Sequence, residues 1–308
     1  MFEQVLKSVA VPAIVAAAIL IAGWRPWRRL RGLDAHERGQ WSTATAFALA
    51  FLVSFVSRKW PSWSAEGGAG LMQASIDALR PASRRDWIVY LALAAGGIGL
   101  LAALVRRPAW LIGAIGPLTA AATWLLIRPI ANPTYALGGG AALCGITLLL
   151  WFLLEPLARR RAGPSLPLAM VPLFAAISGI IALTGGVGMS VAMTAGAMAA
   201  VCGMAAIIAW LNPRFTFARG ATPLLAAVPA AIGWLQAWYA PGTTAWYVFT
   251  LPLAAIPLLW LGELPVVTRR PPWVGGLVRI VLAVIPGAAA VLLAMNSVQA
   301  DASSDLYQ

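Results

Sequence analysis

Charged residues are scarce in this sequence: they make up 10% of its 308 residues, whereas hydrophobic residues make up 61%. Soluble domains carry about 25% charged residues, and a single hydrophobic core stops growing at roughly 250–300 residues. A water-soluble fold of this length would therefore leave much of its apolar surface exposed. The composition predicts an integral membrane protein whose main partner is the lipid bilayer.

Side chains that commonly carry catalysis or hold metals are also few. The one histidine, His36, lies in a charged segment, and the two cysteines, Cys144 and Cys202, lie within apolar runs. The sequence contains no His-Glu-x-x-His motif and no pair of aspartates within an apolar run. Hydrolases and acyltransferases that use histidine as a general base, and metalloenzymes, need such groups. We therefore expect no catalytic residue, no metal and no cofactor, and the sequence disfavours an enzyme.

Acidic residues are outnumbered: Asp and Glu total 10, Lys and Arg total 22, and the net charge is +12. The arginines form no single patch, which argues against a nucleic-acid partner. Short arginine clusters instead follow every second apolar run, at 25–38, 106–107, 159–161, 214–219 and 269–270. Because positive charge marks cytoplasmic loops, we expect odd-numbered helices to end in the cytoplasm. Both termini should then lie outside a bacterial cytoplasmic membrane.

Ten apolar segments approach the roughly 20 residues that a helix needs to cross a bilayer. They are residues 5–24, 41–57, 87–105, 109–127, 136–154, 166–184, 187–211, 221–240, 246–264 and 276–295. The predicted fold class is all-α, a polytopic transmembrane helical bundle with about ten membrane spans. Residues 1–295 should form a single multi-pass domain, and 296–308 a flexible polar tail. The first segment lacks a clean Ala-x-Ala cleavage site, so we expect a retained membrane helix rather than a signal peptide.

One loop on the predicted outer side departs from the charge rule. Residues 58–86 contain several arginines and a lysine next to acidic residues. Met72, Ile76 and Leu79 share one face of a potential helix that is too short and too polar to cross the bilayer. We predict an outer loop whose interfacial helix lies at the membrane–water boundary.

Tryptophan is abundant, with 15 residues, and most of them lie near the ends of the apolar segments. Trp210 and Trp273 are two examples. Because the amphipathic indole ring prefers the headgroup layer, these positions predict the aromatic belts of a membrane protein rather than a tryptophan-lined binding site.

Two segments end alike, "LLWFLLEPLARRR" at 149–161 and "LLWLGELPVVTRR" at 258–270. Their acids, Glu155 and Glu263, either line a shared cavity or lie at the membrane boundary. A charge at membrane depth costs about 2.5–3.5 kcal/mol of insertion free energy. At a helix end this cost is smaller, because the side chain can reach water. The sequence favours boundary acids, with a local Glu155–Arg159 pair if the helix continues through Pro156. A double alanine variant should then insert and fold.

The seventh segment carries small residues at every fourth position, Gly188, Ala192, Gly196 and Ala200. Small residues at this spacing let another helix approach closely in a membrane. The pattern predicts a helix-packing seam, either within the chain or in a homo- or hetero-oligomer.

Two functions remain compatible with these features. Prolines interrupt several spans, for example Pro117, Pro172 and Pro229, and transporters often place binding sites at broken helices. The leading hypothesis is a carrier or permease for a small solute, which the sequence does not identify. The alternative is a non-catalytic membrane subunit or scaffold that packs through the seventh helix. A cavity that reaches Glu155 or Glu263 would favour the carrier, and an exposed stripe from Gly188 to Ala200 would favour the subunit.

Overall fold

The computed structural model describes residues 2–24, 40–57, 77, 86–104, 109–127, 136–160, 163–185, 188–239 and 244–304. All regular elements in these ranges are helices, and ten of them are long and apolar. They are α1 (Leu6–Trp24), α2 (Gln40–Ser57), α3 (Trp87–Leu104), α4 (Ala109–Ile127), α5 (Ala136–Arg160), α6 (Ser165–Thr184), α7 (Met189–Leu211), α8 (Thr222–Tyr239), α9 (Trp246–Glu263) and α10 (Pro272–Ser304). The predicted all-α bundle is confirmed.

The helices correspond one for one to the ten apolar segments of the sequence. Eight are long and apolar enough to cross a membrane by length and composition. The other two, α4 and α8, have shorter apolar stretches within the described residues, Ala114–Leu125 and Thr222–Ala237. The protein is therefore a multi-pass membrane protein.

Glycine and proline determine where several helices end or become irregular. Gly185 closes α6 in a left-handed conformation, with φ of 73°, and its N–H donates to the carbonyl of Ile181, as in a common glycine C-cap. The helix α9 alternates between α-helical turns and 3₁₀ turns at Leu251–Ala254 and Leu259–Glu263. Its prolines lack the N–H that a regular α-helix requires, which accounts for a broken span.

The C-terminal end of α10 and the loop at 58–86 bear on the predicted domain organisation. The helix α10 continues to Ser304, so it includes most of the segment that we expected to be a polar tail. The predicted outer loop at 58–86 lies outside the described residues apart from Asp77 and Asp86.

The helix α8 lies at the centre of the bundle. It packs against α3 and α5, and it contacts the first turn of α9. Every residue from Thr222 to Gly233 is buried. A helix that is apolar on all sides is suited to the interior of a bundle, so a short α8 need not face lipid.

The end of α1 and the described residues that follow α5 and α7 meet at one end of the bundle. Asn212, after α7, donates its side-chain N–H to the carbonyl of Trp24 at the end of α1, at 3.3 Å. Gly163, after α5, donates its N–H to the carbonyl of Phe215 at 2.8 Å. Arginines 159–160, 214, 219 and 269–270 flank these contacts. We call this region the arginine-rich end.

Cysteine labelling tests whether the two ends of the bundle lie on opposite sides of the membrane. Arg160 at the arginine-rich end and Gln299 near the far end of α10 are both exposed. In a background with Cys144→Ala and Cys202→Ala, we expect Gln299→Cys to react with a membrane-impermeant maleimide in intact cells. Arg160→Cys should react only after permeabilisation, since arginine clusters favour the cytoplasm. Labelling of both variants in intact cells would contradict the topology.

Candidate functional site at the arginine-rich end

A non-helical segment, residues 212–221, connects α7 to α8 and is largely buried. We call it the buried segment. The ring of Phe215 lies 5.0 Å from that of Trp24 in α1, and the ring of Phe217 lies 5.3 Å from that of Phe47 in α2, between centroids. Irregular backbone at membrane depth is tolerated where protein surrounds it. These aromatic contacts anchor the buried segment inside the bundle.

Glu155 of α5 holds the buried segment in place from the other side. The residue is only 3% exposed. Its Oε1 accepts a hydrogen bond from Arg159 Nε at 2.7 Å, and its Oε2 accepts one from the backbone N–H of Arg219 at 3.0 Å. The hydroxyl of Thr222 also donates to Oε2. One carboxylate thus connects α5, the buried segment and the first residue of α8.

The position of this carboxylate is electrostatically favourable. The N-terminus of a helix carries a partial positive charge, which stabilises a nearby anion. Arg219 adopts a left-handed conformation, with φ of 59°, which is uncommon for a residue other than glycine. In this conformation its backbone N–H reaches the carboxylate of Glu155. The three hydrogen bonds and the helix end together compensate for removing Glu155 from water.

Two glycines allow the buried segment to touch the backbones of α2 and α3. A Cβ atom on Gly220 would overlap the carbonyl of Gln40 and the hydroxyl of Thr43, both in α2. A Cβ atom on Gly99 of α3 would overlap the carbonyl of Gly220. Both positions therefore require glycine for close packing.

The expectation that Glu155 lies at a water-accessible helix end is wrong. The helix α5 does continue through Pro156 to Arg160, and the Glu155–Arg159 pair forms. However, the buried segment covers the carboxylate, so only 3% of the residue is exposed. Glu155 is therefore a structural link, and its removal should not leave folding unaffected.

Glu263 forms a separate link at the same end of the bundle. Its Oε1 accepts a hydrogen bond from Arg279 Nη2 of α10 at 2.7 Å, and the two side chains are 12% and 6% exposed. Arg279 Nη2 also donates to the carbonyl of Gly262 at 3.1 Å. These contacts fasten the end of α9 to α10. Glu263 and Glu155 thus have different partners, in contrast to the hypothesis of one shared cavity.

An apolar cavity of about 570 Å³ runs along α5 and reaches Glu155. We call it the α5 groove. It is lined by Pro117, Leu148, Leu149, Trp151, Phe152, Glu155, Pro156 and Arg159. Leu149 and Phe152 are 56% and 68% exposed, so the groove opens towards the side of the bundle. From Leu148 to Arg159 it extends about 16 Å along the helix, which is roughly half the thickness of the hydrocarbon core.

Polar atoms occur in this groove at few places. The Glu155–Arg159 pair lies at the arginine-rich end, and the Arg159 side chain is 38% exposed. Trp151, which packs on Gly116 of α4, has a buried Nε1 with no hydrogen-bond acceptor within the described ranges. The groove therefore offers a long apolar wall with a charged pair at one end.

The small-residue seam faces another helix of the same chain in its central part. Ala192 is buried, and its carbonyl accepts a hydrogen bond from the Ser178 hydroxyl of α6 at 2.7 Å. A Cβ atom on Gly196 would lie 3.3 Å from the same hydroxyl oxygen. Gly188 precedes α7 with φ of 97°, and Ala200 is half-buried. The seam contributes to the packing of α6 on α7 at Ala192 and Gly196.

Thr222 and the backbone of Arg219 are partners of Glu155 that the sequence did not indicate. Thr222 could have been found, because threonine followed by Pro223 is typical of the start of a helix, where orphan N–H groups attract an acid. No local pattern indicates which distant carboxylate supplies the acceptor. The Arg219 N–H could be identified as a donor only from the folded position of the buried segment.

These features define a polytopic, all-helical membrane protein with a buried, multiply bonded carboxylate and an apolar groove beside it. No group of three or more potential metal ligands occurs within the described ranges. No protein-family model, curated protein or solved structure matches the chain. Its function is therefore inferred from its own geometry.

Proposed function

We propose that the protein is a carrier for a small amphiphilic anion, and that the solute binds in the α5 groove. One observation carries the proposal: the groove is apolar along its length and ends at the Glu155–Arg159 pair. An apolar tail would lie along Leu149 and Phe152, and an acidic headgroup would reach Arg159. The lateral opening suits a molecule that enters from the lipid.

The lining of the groove argues for this class of solute over a hydrophilic one. A carrier for a sugar or an inorganic ion needs several polar groups at membrane depth. The walls of the α5 groove instead consist of leucine, proline and aromatic side chains. Arg159 uses its Nε–H to bind Glu155, and a guanidinium has further N–H donors for a carboxylate or phosphate.

The contacts of Glu155 suggest how binding would be coupled to movement. An anion at Arg159 competes with the carboxylate of Glu155, which also holds Thr222 at the start of α8. The hydrogen bonds from Arg219 and Thr222 to the other carboxylate oxygen remain, so the competition changes the strength of this link without breaking it. The neighbouring α9 alternates between α-helical and 3₁₀ turns. A ligand shifts such an equilibrium only through different affinities for the two states, and competition for Arg159 provides that difference.

The subunit hypothesis has less support. An exposed stripe from Gly188 to Ala200 would favour it, whereas Ala192 is buried and bonded to α6.

Transbilayer movement of a single-chain lipid tests the proposal. The probe is lysophosphatidylglycerol with a nitrobenzoxadiazole label, and bleaching by dithionite reports its exposure on the outer leaflet of proteoliposomes. We expect the protein to accelerate exchange of this anion over the matched zwitterion, labelled lysophosphatidylcholine. Arg159→Gln should reduce the accelerated rate by about tenfold, as expected for the loss of one charge-assisted contact.

Two further variants make this result specific. Arg160→Gln removes the adjacent arginine, which is exposed and does not line the groove, and it should retain the full rate. Leu149→Trp fills the groove without touching Glu155 and should abolish the acceleration. Equal rates for Arg159→Gln and the unmodified protein, or no acceleration of either lipid, would refute the proposed carrier.

A further inference from the structure

A second cavity lies at the arginine-rich end, away from the α5 groove. It has a volume of about 560 Å³ and lies between the start of α6, the end of α7, the residues after α9 and the start of α10. We call it the basic cavity. It shares no lining residue with the α5 groove, so its role is independent of the proposed carrier function.

The charge of the basic cavity is positive. Arg270 and Arg279 both line it, and none of its lining residues within the described ranges is acidic. The hydroxyl-bearing residues Ser165 and Thr268 also line it. The nearest acid in sequence, Glu263, does not line the cavity, but it forms an ion pair with Arg279, so Arg270 supplies the uncompensated positive charge. This cation, the guanidinium of Arg279 and two hydroxyl-bearing residues form a set of groups that favours an oxyanion.

The positive end of the α10 dipole faces the same cavity. This helix has 33 residues and begins at Pro272, which has no N–H, and the N–H of Val274 donates to the carbonyl of Pro271 at 2.9 Å, so the helix end contributes mainly its partial positive charge. Gly275 and Gly276, in its first turns, line the cavity and carry no side chain that would cover the backbone. The positive end of the helix dipole therefore lies next to the two arginines, an arrangement that is well suited to phosphate.

The buried guanidinium of Arg279 forms a fixed part of the cavity wall. The residue is 5% exposed, and its Nε has no hydrogen-bond acceptor within the described ranges. Glu263 and Gly262 hold its Nη2, and its Nη1 would lie 3.7 Å from a Cβ atom on Gly275. A charged donor group is thus held rigidly beside the start of α10. A buried donor without an acceptor is costly, and the negative charge of an anion in the adjoining cavity would offset part of that cost.

The surroundings of the basic cavity indicate a lipid rather than a dissolved ion. Trp210 and Trp273 line it and are 74% and 71% exposed, and tryptophan prefers the headgroup layer. Leu277, also on the lining, is 53% exposed on the next turn of α10. A phosphate in the cavity would therefore have an apolar wall beside it for acyl chains. Basic pockets between membrane helices are typical sites for anionic headgroups.

We propose that the basic cavity binds the phosphodiester headgroup of an anionic phospholipid. The phosphate lies between Arg270, Arg279 and the first turn of α10, and the acyl chains follow Leu277 along the outside of α10. The site anchors the junction of α9 and α10 at the headgroup layer.

Binding of short-chain lipids to the full-length protein in detergent tests the proposal. The ligands are dioctanoyl phosphatidylglycerol, dioctanoyl phosphatidylcholine, and inorganic phosphate, and the readout is the ligand-dependent rise in the melting temperature. We expect the anionic lipid to bind about tenfold more tightly than the zwitterion. Inorganic phosphate should bind far more weakly than the lipid, because it gains no apolar contacts. Equal affinity for the two lipids, or phosphate binding as tight as the lipid, would overturn the proposal.

Matched variants locate the site. Arg270→Gln should weaken binding of the anionic lipid about fivefold. Arg269→Gln removes the adjacent exposed arginine, which does not line the cavity, and should change binding less than twofold. Gly276→Asp places a negative charge in the cavity, at a helix N-terminus where an acid is compatible with folding, and should abolish binding. Unchanged affinity in Gly276→Asp and Arg270→Gln would exclude this cavity, whatever the outcome for the α5 groove.

Discussion

Replacing Glu155 by alanine is expected to lower the free energy of unfolding by about 3–5 kcal/mol, which is typical when one partner of a buried charged network is removed. The variant leaves the N–H of Arg219 and the hydroxyl of Thr222 without their acceptor in a buried environment. The melting temperature in detergent should fall by about 10 °C. It can be measured by size-exclusion chromatography of heated samples.

Arg159→Gln is the control for this variant. It removes one of the three donors to Glu155, and the Arg159 side chain is 38% exposed. The other two hydrogen bonds and the helix end remain, so the expected loss is about 1 kcal/mol or less. If Glu155→Ala melts at the same temperature as Arg159→Gln, the carboxylate does not hold the buried segment in place.

Replacing Gly99 by alanine is expected to destabilise the bundle by about 1–3 kcal/mol, the usual range for inserting atoms into a packed interior. The new methyl group would overlap the carbonyl of Gly220, which belongs to the buried segment. Because this neighbour is backbone, relief requires the whole segment to move away from α3. The melting temperature should fall, and the Glu155–Thr222 contact should weaken with it.

Gly97→Ala, two residues earlier on α3, provides the matched comparison. A Cβ atom at Gly97 has no neighbour within 4 Å. The substitution therefore changes only the intrinsic helix propensity at this position. Alanine is favoured over glycine in a helix by up to about 1 kcal/mol, so the free energy of unfolding should rise. The two alanine variants should thus change stability in opposite directions. An equal loss of stability in both variants would mean that the close approach of the buried segment to Gly99 is not the cause.

The α5 groove and the basic cavity suggest two roles for lipid-like molecules at the arginine-rich end. In the first, an amphiphile competes with Glu155 for Arg159 and is carried. In the second, a phospholipid headgroup at Arg270 and Arg279 holds the junction of α9 and α10. The two proposals use separate arginines, so the variants Arg159→Gln and Arg270→Gln distinguish them in the same preparation.

The positions of the ten helices followed from the sequence alone, since long apolar runs have one low-energy form in lipid, the helix with its backbone bonds satisfied internally. The glycine-rich end of α6 was also predictable, because a left-handed residue such as Gly185 commonly terminates a helix. The local pairing of Glu155 with Arg159 required only the spacing of four residues.

The environment of Glu155 was not predictable in this way. Residues 212–221 resemble a polar loop, with proline, two arginines and a glycine among them. Only the tertiary structure shows that Phe215 contacts α1, that Phe217 contacts α2, and that the Arg219 N–H reaches the carboxylate. The partners of an acid in a bundle come from distant parts of the chain, and no local pattern encodes their distance.

The sequence by itself thus determined that lipid surrounds this protein, that its fold is helical and that arginine clusters follow every second apolar segment. Burial of apolar surface and satisfaction of backbone hydrogen bonds act on each segment separately, so they can be predicted segment by segment. The tertiary structure decided which acid is covered, which arginine remains accessible and where cavities lie. These properties depend on the spaces left between helices, which arise only when α5, α8 and the buried segment pack together.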